Sequence, residues 1–389
     1  MHYREYVRAT GISLLFTFCS FLYYPIISPY IKAMGFDNFQ VGLLFSVFPL
    51  TVILVSAILG RLADSIGRIK IIVFGLIVEI VATVLYLVNA HWLMIIAARM
   101  LNAVAYVAVL LVALAKIQGA LSDRDRGKYT GWSLSIAQVG AVVAPVLGGV
   151  LADQLFITAP FILTAVLLLM LVFLLIFRTK KLSKKIEQEN FNIFKALKTF
   201  FSSRHLRGVA VLGFVMHAST PATLVFLPLF IIEKFGLSYS YVGVAIFFFG
   251  AAHLFQFFFG ALADKYGRVT MILFGCFIMG FFLFFLATIQ TYWVLLVLVF
   301  LMGIGGAIWN ISAWTLMSSI GEKMNKTGEI IGSYMSIAQT GAFISFLMSG
   351  LIVQVFGFGV LFALNGFLIA IGMSIASYYF GRYEHSSGN

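Results

Sequence analysis

The stretch Gly60-Arg61-Leu62-Ala63-Asp64-Ser65-Ile66-Gly67-Arg68 recurs 200 residues later as Gly260-Ala261-Leu262-Ala263-Asp264-Lys265-Tyr266-Gly267-Arg268. Both copies spell G-x-L-A-D-x-x-G-R, and each joins two long apolar runs. A chain that writes the same polar turn twice is built from two homologous halves. Other landmarks repeat at an offset of 201: Val41-Gly42 returns as Val242-Gly243, Gly127 as Gly328, and Ser135-Ile136-Ala137-Gln138 as Ser336-Ile337-Ala338-Gln339.

The apolar runs identify the solvent. Of 389 residues, 62% are hydrophobic and 10% charged, against roughly 25% charged in a soluble domain. A soluble globule cannot hide that much apolar surface, so lipid must cover most of the chain. The fold class expected is an all-α membrane protein with twelve spans in two parallel six-helix bundles. Crossings are expected at 10–32, 41–61, 70–89, 92–115, 129–152 and 159–178, then at 207–233, 241–261, 270–289, 292–316, 329–355 and 359–380. The first run lacks a small-residue cleavage site and reads as a spanning helix. The domains are then 1–178 and 207–389, joined by a cytoplasmic hinge at 179–206. In that hinge Phe191, Phe194, Leu197 and Phe201 recur at helical spacing, which predicts an amphipathic helix on the inner membrane face.

Placing the N-terminus in the cytoplasm puts 23 of the 26 basic residues on that side. Positively charged loops stay inside, so both termini are expected in the cytoplasm of a chain lodged in the plasma (inner) membrane. The net charge of +12 lies in turns and forms no basic face, which excludes nucleic acid as a partner. Cys19 and Cys276 both fall within apolar runs, where buried free thiols are expected.

On these motifs the chain resembles the major facilitator superfamily over its whole length. The repeated G-x-L-A-D-x-x-G-R is that family's signature turn. The resemblance implies the major facilitator fold, and a pair of gating latches, one made by Gly60, Asp64, Gly67 and Arg68 and the other by Gly260, Asp264, Gly267 and Arg268. A plain topogenic turn is the alternative reading. Glycines at these positions let helices approach and turns stay tight. Span 5 carries Gly140, Ala144, Pro145, Gly148 and Gly149, similar to the family's antiporter motif G-x-x-x-G-P-x-x-G-G. The resemblance ties that helix face to proton exchange, as in the drug:proton antiporter branch; an ordinary packing face is the alternative. It also implies a substrate cavity whose candidates are Tyr23, Tyr24, Asn102, Tyr106, Gln138, His217, Gln256, Trp309, Asn310, Trp314 and Gln339.

Charges within spans are costly and need partners. Arg99 is the only basic residue deep in a span and Glu79 the only acidic one. Glu79 lies eleven residues before the turn at Ala90 and Arg99 nine after it, which places them about 3 Å apart in depth at 1.5 Å per residue. They are expected to form an ion pair, either proton-responsive or merely static. His217 and His253 complete the proton-coupling candidates, and a His217–Gln256 hydrogen bond is expected from matched depth.

Neither an enzyme motif nor a metal-binding spacing occurs, and no cofactor is expected. The reading is a monomeric secondary transporter, with protons and a small-molecule substrate as partners: a proton-coupled multidrug exporter of small amphipathic compounds. The alternatives are a sugar or metabolite exporter coupled otherwise or not at all, and a lipid-handling or sensor protein on the same scaffold.

Overall fold

A backbone in lipid must satisfy its own N–H and C=O groups, and a helix does so within one segment. The computed structural model describes residues 3–88, 91–119, 121, 123–178, 193–324 and 326–381, and its apolar runs are all helical. Six membrane helices fill the first half: α1 (Tyr3–Ala33), α2 (Asn38–Ile66), α3 (Arg68–Val88), α4 (Trp92–Ile117), α5 (Asp123–Gln154) and α6 (Ala159–Arg178). A short helix, Ile193–Ser202, precedes α7 (Arg204–Phe235), α8 (Tyr239–Tyr266), α9 (Arg268–Thr288) and α10 (Tyr292–Lys323).

The last apolar stretch, Thr327–Phe380, is 54 residues long. That is about 80 Å of helix, far more than a hydrocarbon core of about 30 Å accepts. It breaks at Gly357, whose φ of 84° and ψ of 172° leave the helical region. Residues 327–356 form α11 and 358–380 form α12, which makes twelve long apolar helices among the described residues.

The chain divides into two compact units. One is Met1–Glu189 with Pro228–Phe247; the other is Asn190–Leu227 with Phe248–Asn389. In the first, α1 packs on α5 and α6, α3 on α4 and α6, and α2 on α4. In the second, α7 packs on α11, α9 on α10 and α12, and α8 on α10. The same glycines serve the same crossings in both. A Cβ on Gly75 in α3 would lie 2.7 Å from Ala108 Cβ in α4, and one on Gly275 in α9 would lie 2.7 Å from Gly305 O in α10.

The expected domains 1–178 and 207–389 differ from this division at Pro228–Phe247, and the expected hinge 179–206 is divided between the two units. Pro228–Phe247, the end of α7 and start of α8, packs with the first unit. Both helices carry a non-α turn near that passage, a π-turn at Ala222–Phe226 and a 3₁₀ turn at Ala252–Phe255. The hinge helix forms at Ile193–Ser202, with Phe200 rather than Phe201 on its buried face. It packs within the second unit, where Lys326 Nζ donates to Thr199 Oγ1 at 3.4 Å. Phe191 lies outside the described residues. Cys19 and Cys276 are buried free thiols.

Candidate functional site

A polar cluster sits inside the first unit, where α1, α3 and α4 meet. Glu79 is 2% exposed and Arg99 1%. The Tyr23 hydroxyl donates to Glu79 Oε1 at 2.5 Å, and Asn102 Nδ2 donates to Glu79 Oε2 at 3.1 Å. Asn102 Nδ2 also reaches the Tyr23 hydroxyl at 3.1 Å, while Tyr86 donates to Asn102 Oδ1 at 2.7 Å. Ser20 Oγ stands 3.5 Å from Oε1. Packing supports the two tyrosines: Tyr23 and Tyr86 lean on the Phe161 ring of α6 at centroid distances of 4.9 and 5.6 Å.

The expected Glu79–Arg99 ion pair is not made: no N···O contact within 4.0 Å joins them. Depth placed the two side chains at one level, but Tyr23 and Asn102 take the carboxylate oxygens first. Arg99 turns toward α2, its guanidinium carbon 4.2 Å from the Phe45 ring centroid and 5.1 Å from that of Phe48. The Tyr24 and Tyr86 hydroxyls lie beside it. Its Nε and Nη2 are buried without a hydrogen-bond partner.

In the second unit His217 Nδ1 faces its own helix carbonyl Gly213 O at 3.0 Å, and Gln256 Nε2 donates to Asn310 Oδ1 at 3.4 Å. The expected His217–Gln256 bond is therefore absent; matched depth did not bring the two faces together. His217 packs edge-on against Trp309 at 5.8 Å and Tyr334 at 6.0 Å, and Trp314 meets Tyr334 at 6.2 Å. Trp309 Nε1 is buried without a hydrogen-bond partner, and the His253 ring lies 5.8 Å from that of Phe249, one helical turn away. Tyr106 contacts Phe48 at 5.7 Å within the first unit. Gln138 in the first unit and Gln339 in the second are each half-buried.

The repeated turns make the same bonds twice. Arg68 donates to Asp64 Oδ1 at 3.2 Å and, through Nη1, to Ala115 O of α4 at 2.7 Å. Arg268 lies 3.5 Å from Asp264 Oδ1 and donates to Thr315 O of α10 at 3.2 Å. Gly67 and Gly267 hold φ of 104° and 92°, a region open to glycine at little cost. Gly60 does not serve close approach in this conformation, since a Cβ there meets nothing within 4 Å. Gly260 meets only Ile311 Cγ1, at 3.5 Å.

Span 5 does use its small residues. A Cβ on Gly140 would stand 2.9 Å from Leu14 O and Phe18 N of α1, and one on Gly148 would strike Leu22 O. Ala144 is fully buried. On the neighbouring face Gly149 abuts Tyr239 O of α8, and Gly243 of α8 abuts Pro145 O. Asp153, at the end of α5, accepts from Ser238 Oγ at 2.6 Å, Tyr239 N at 3.0 Å and Ser240 N at 2.8 Å. It thereby caps the first turn of α8. Lys32 and Glu233 lie 3.8 Å apart in the same unit. Sequence reasoning missed Asp153, Ser20, Tyr86 and the Phe45–Phe48 pair. The repeat held a clue to the first: α2 starts with its own carboxylate, Asp37, whereas the matching start of α8 has Ser238.

Comparison with known proteins agrees with this architecture. The model of the Major Facilitator Superfamily matches residues 9–253 and 210–389. An uncharacterised MFS-type transporter of Methanocaldococcus jannaschii is 25% identical over 363 residues, spanning 91% of this chain and 92% of that one. The quinolone resistance protein NorA of Staphylococcus aureus is 26% identical over 129 residues, 33% of each chain. Among solved structures, the nucleoside transporter NupG superposes with a TM-score of 0.78 at 14% identity, covering 97% of this chain and 99% of that one. At that identity the likeness shows the fold alone.

Proposed function

The chain belongs to the Major Facilitator Superfamily, and from that premise we propose a proton-coupled exporter of small amphipathic organic compounds, working by rocker-switch alternating access. It acts as a monomer in the plasma membrane, with both termini in the cytoplasm. The basic-residue count supports that orientation, and the partial likeness to a quinolone resistance protein supports export. The two rocking bundles are 1–178 and 207–389, with the latch turns at Gly60–Arg68 and Gly260–Arg268 gating them.

The observation that carries the coupling is the Glu79 carboxyl group, sealed among α1, α3 and α4. A carboxylate in an apolar bundle is costly when charged unless donors hold it. Tyr23 and Asn102 supply those donors, and charge-assisted bonds of this kind are the strong ones. A phenol can also reverse its bond and accept from a protonated acid. The same neighbours therefore serve both protonation states, which is what a proton carrier needs.

The test is flux in proteoliposomes, using ligands found in a thermal-shift screen of drugs, sugars, amino acids and lipids. With wild-type protein, an imposed pH difference drives accumulation against a gradient. Glu79→Gln is expected to abolish that accumulation and to leave equilibrative exchange. Equal pH-driven accumulation by Glu79→Gln and wild type would refute the assignment and point to another carrier or to uncoupled transport.

A further inference from the structure

We propose that Arg99 is the anion subsite of this transporter and that its substrates are amphipathic carboxylic acids. The inference rests on the transport reading above and names its substrate class. The guanidinium is 1% exposed, with the Tyr24 and Tyr86 hydroxyls beside it, yet two of its nitrogens, Nε and Nη2, make no hydrogen bond. Those two are the pair whose N–H bonds lie on one edge and point the same way, the fork that matches both oxygens of a carboxylate. Among the described residues Glu79 cannot fill it, because Tyr23 and Asn102 hold its oxygens. The ring of Phe45 covers one face of the guanidinium and Phe48 stands beside it. The face of the guanidinium is therefore covered by apolar rings, with the Tyr24 and Tyr86 hydroxyls beside it, which suits an acid with an apolar body. A fixed positive charge at this depth works against an organic ammonium ion.

The charges determine what accompanies the acid. Around Glu79 the titratable or charged groups are Cys19 and Tyr23 of α1, Tyr86 of α3 and Arg99 of α4, with Tyr24 of α1 beside Arg99; α2 and α6 contribute Phe45, Phe48 and Phe161. Arg99 and an ionised Glu79 balance each other. When Arg99 takes a substrate carboxylate, neutrality is restored only if Glu79 holds a proton. Binding of acid and proton then favour one another, and by linkage the preference is mutual. One carboxylate and one proton cross together with no net charge, and an acid made inside leaves down its own gradient. The coupling through Glu79 proposed above then takes the form of co-movement of acid and proton.

The experiment is isothermal titration of the purified full chain in nanodiscs with octanoate and naphthalene-2-acetate. Octanamide, naphthalene-2-acetamide and octylammonium serve as matched controls. Carboxylates are expected to bind at least about tenfold more tightly than their amides, the scale of a charge-assisted pair. Arg99→Lys keeps the charge but loses the fork and is expected to weaken them about tenfold; Arg99→Gln should do more. If Arg99→Gln does not fold, Arg99→Lys carries the test. Equal affinity for acids and amides, wild-type affinity in Arg99→Lys, or no binding by either carboxylate overturns the proposal. Repeating the titration in buffers of different ionisation enthalpy across a pH series reads proton uptake on binding. Glu79→Gln is expected to bind the acids and take up no proton. If it takes up the proton as wild type does, the Glu79 assignment fails while the Arg99 subsite stands.

Discussion

Asp153→Ala should loosen the start of α8 from α5. In the first unit one carboxylate satisfies two backbone N–H groups and one hydroxyl of the Ser238-Tyr239-Ser240 turn, at 2.6–3.0 Å. Loss of a side-chain helix cap costs about 0.5–2 kcal/mol, and loss of negative charge at the first turn costs about 0.3–1 kcal/mol. Asp153 is exposed, so screening holds the combined effect to about 1–2 kcal/mol. The nearby Lys32–Glu233 contact at 3.8 Å is about one-third exposed on each side and is too weak to compensate. Opening of the segment should therefore rise about 5- to 30-fold. Hydrogen–deuterium exchange of peptides covering 238–247 reads this directly, with faster exchange expected in Asp153→Ala. Asp153→Asn, which retains one acceptor oxygen, should fall between. Asp37→Ala is the control: Asp37 caps α2 within its own turn, accepting from Gln40 N at 2.7 Å, so its loss should leave 238–247 unchanged. Wild-type exchange at 238–247 in Asp153→Ala would refute the capping argument.

Three further outcomes follow from the packing and the bonds. Gly148→Ala should lower the thermal midpoint by an overpacking cost of about 1–3 kcal/mol, because its Cβ strikes Leu22 O; Gly60→Ala, in open space, should stay within about 0.5 kcal/mol of wild type. Equal effects at the two glycines would contradict the close approach of α5 to α1. Arg68→Lys should destabilise more than Arg268→Lys, by about 0.5–1.5 kcal/mol, since the first turn has the shorter bonds, 2.7 against 3.2 Å to the helix carbonyl; chemical unfolding of the two variants decides it. Tyr23→Phe removes the 2.5 Å donor from Glu79 and leaves Oε1 with Ser20 at 3.5 Å. A stability loss of about 1–3 kcal/mol is expected, and a wild-type midpoint would show that the bond carries little.

Much of this was legible along the chain. The repeated turn marks two halves, and in each copy the Asp and the second Arg of the motif meet, Asp64 with Arg68 and Asp264 with Arg268. The span 5 pattern predicts a smooth helix face, and Gly140 and Gly148 lie against α1, with Ala144 buried between them. The failures share one cause. Counting residues from a turn gives an expected depth in the membrane, and on that count Glu79 stands near the level of Arg99. It says nothing about which way each side chain points around its helix. In a helix apolar on all sides, no polar stripe reveals that direction. Glu79 consequently faces Tyr23 and Asn102, Arg99 faces Phe45, and His217 bonds its own helix instead of Gln256.

By itself the sequence determined the number of crossings, the two-fold repeat and the residues able to make each turn, because hydropathy and local bonding act over a few neighbours. Tertiary structure alone decided which buried groups meet. Asp153 and Ser240 are 87 residues apart and Tyr23 and Glu79 are 56 apart. Only the rotation and closeness of packed helices bring such pairs within bonding distance, and those are set by the fit of whole helix faces.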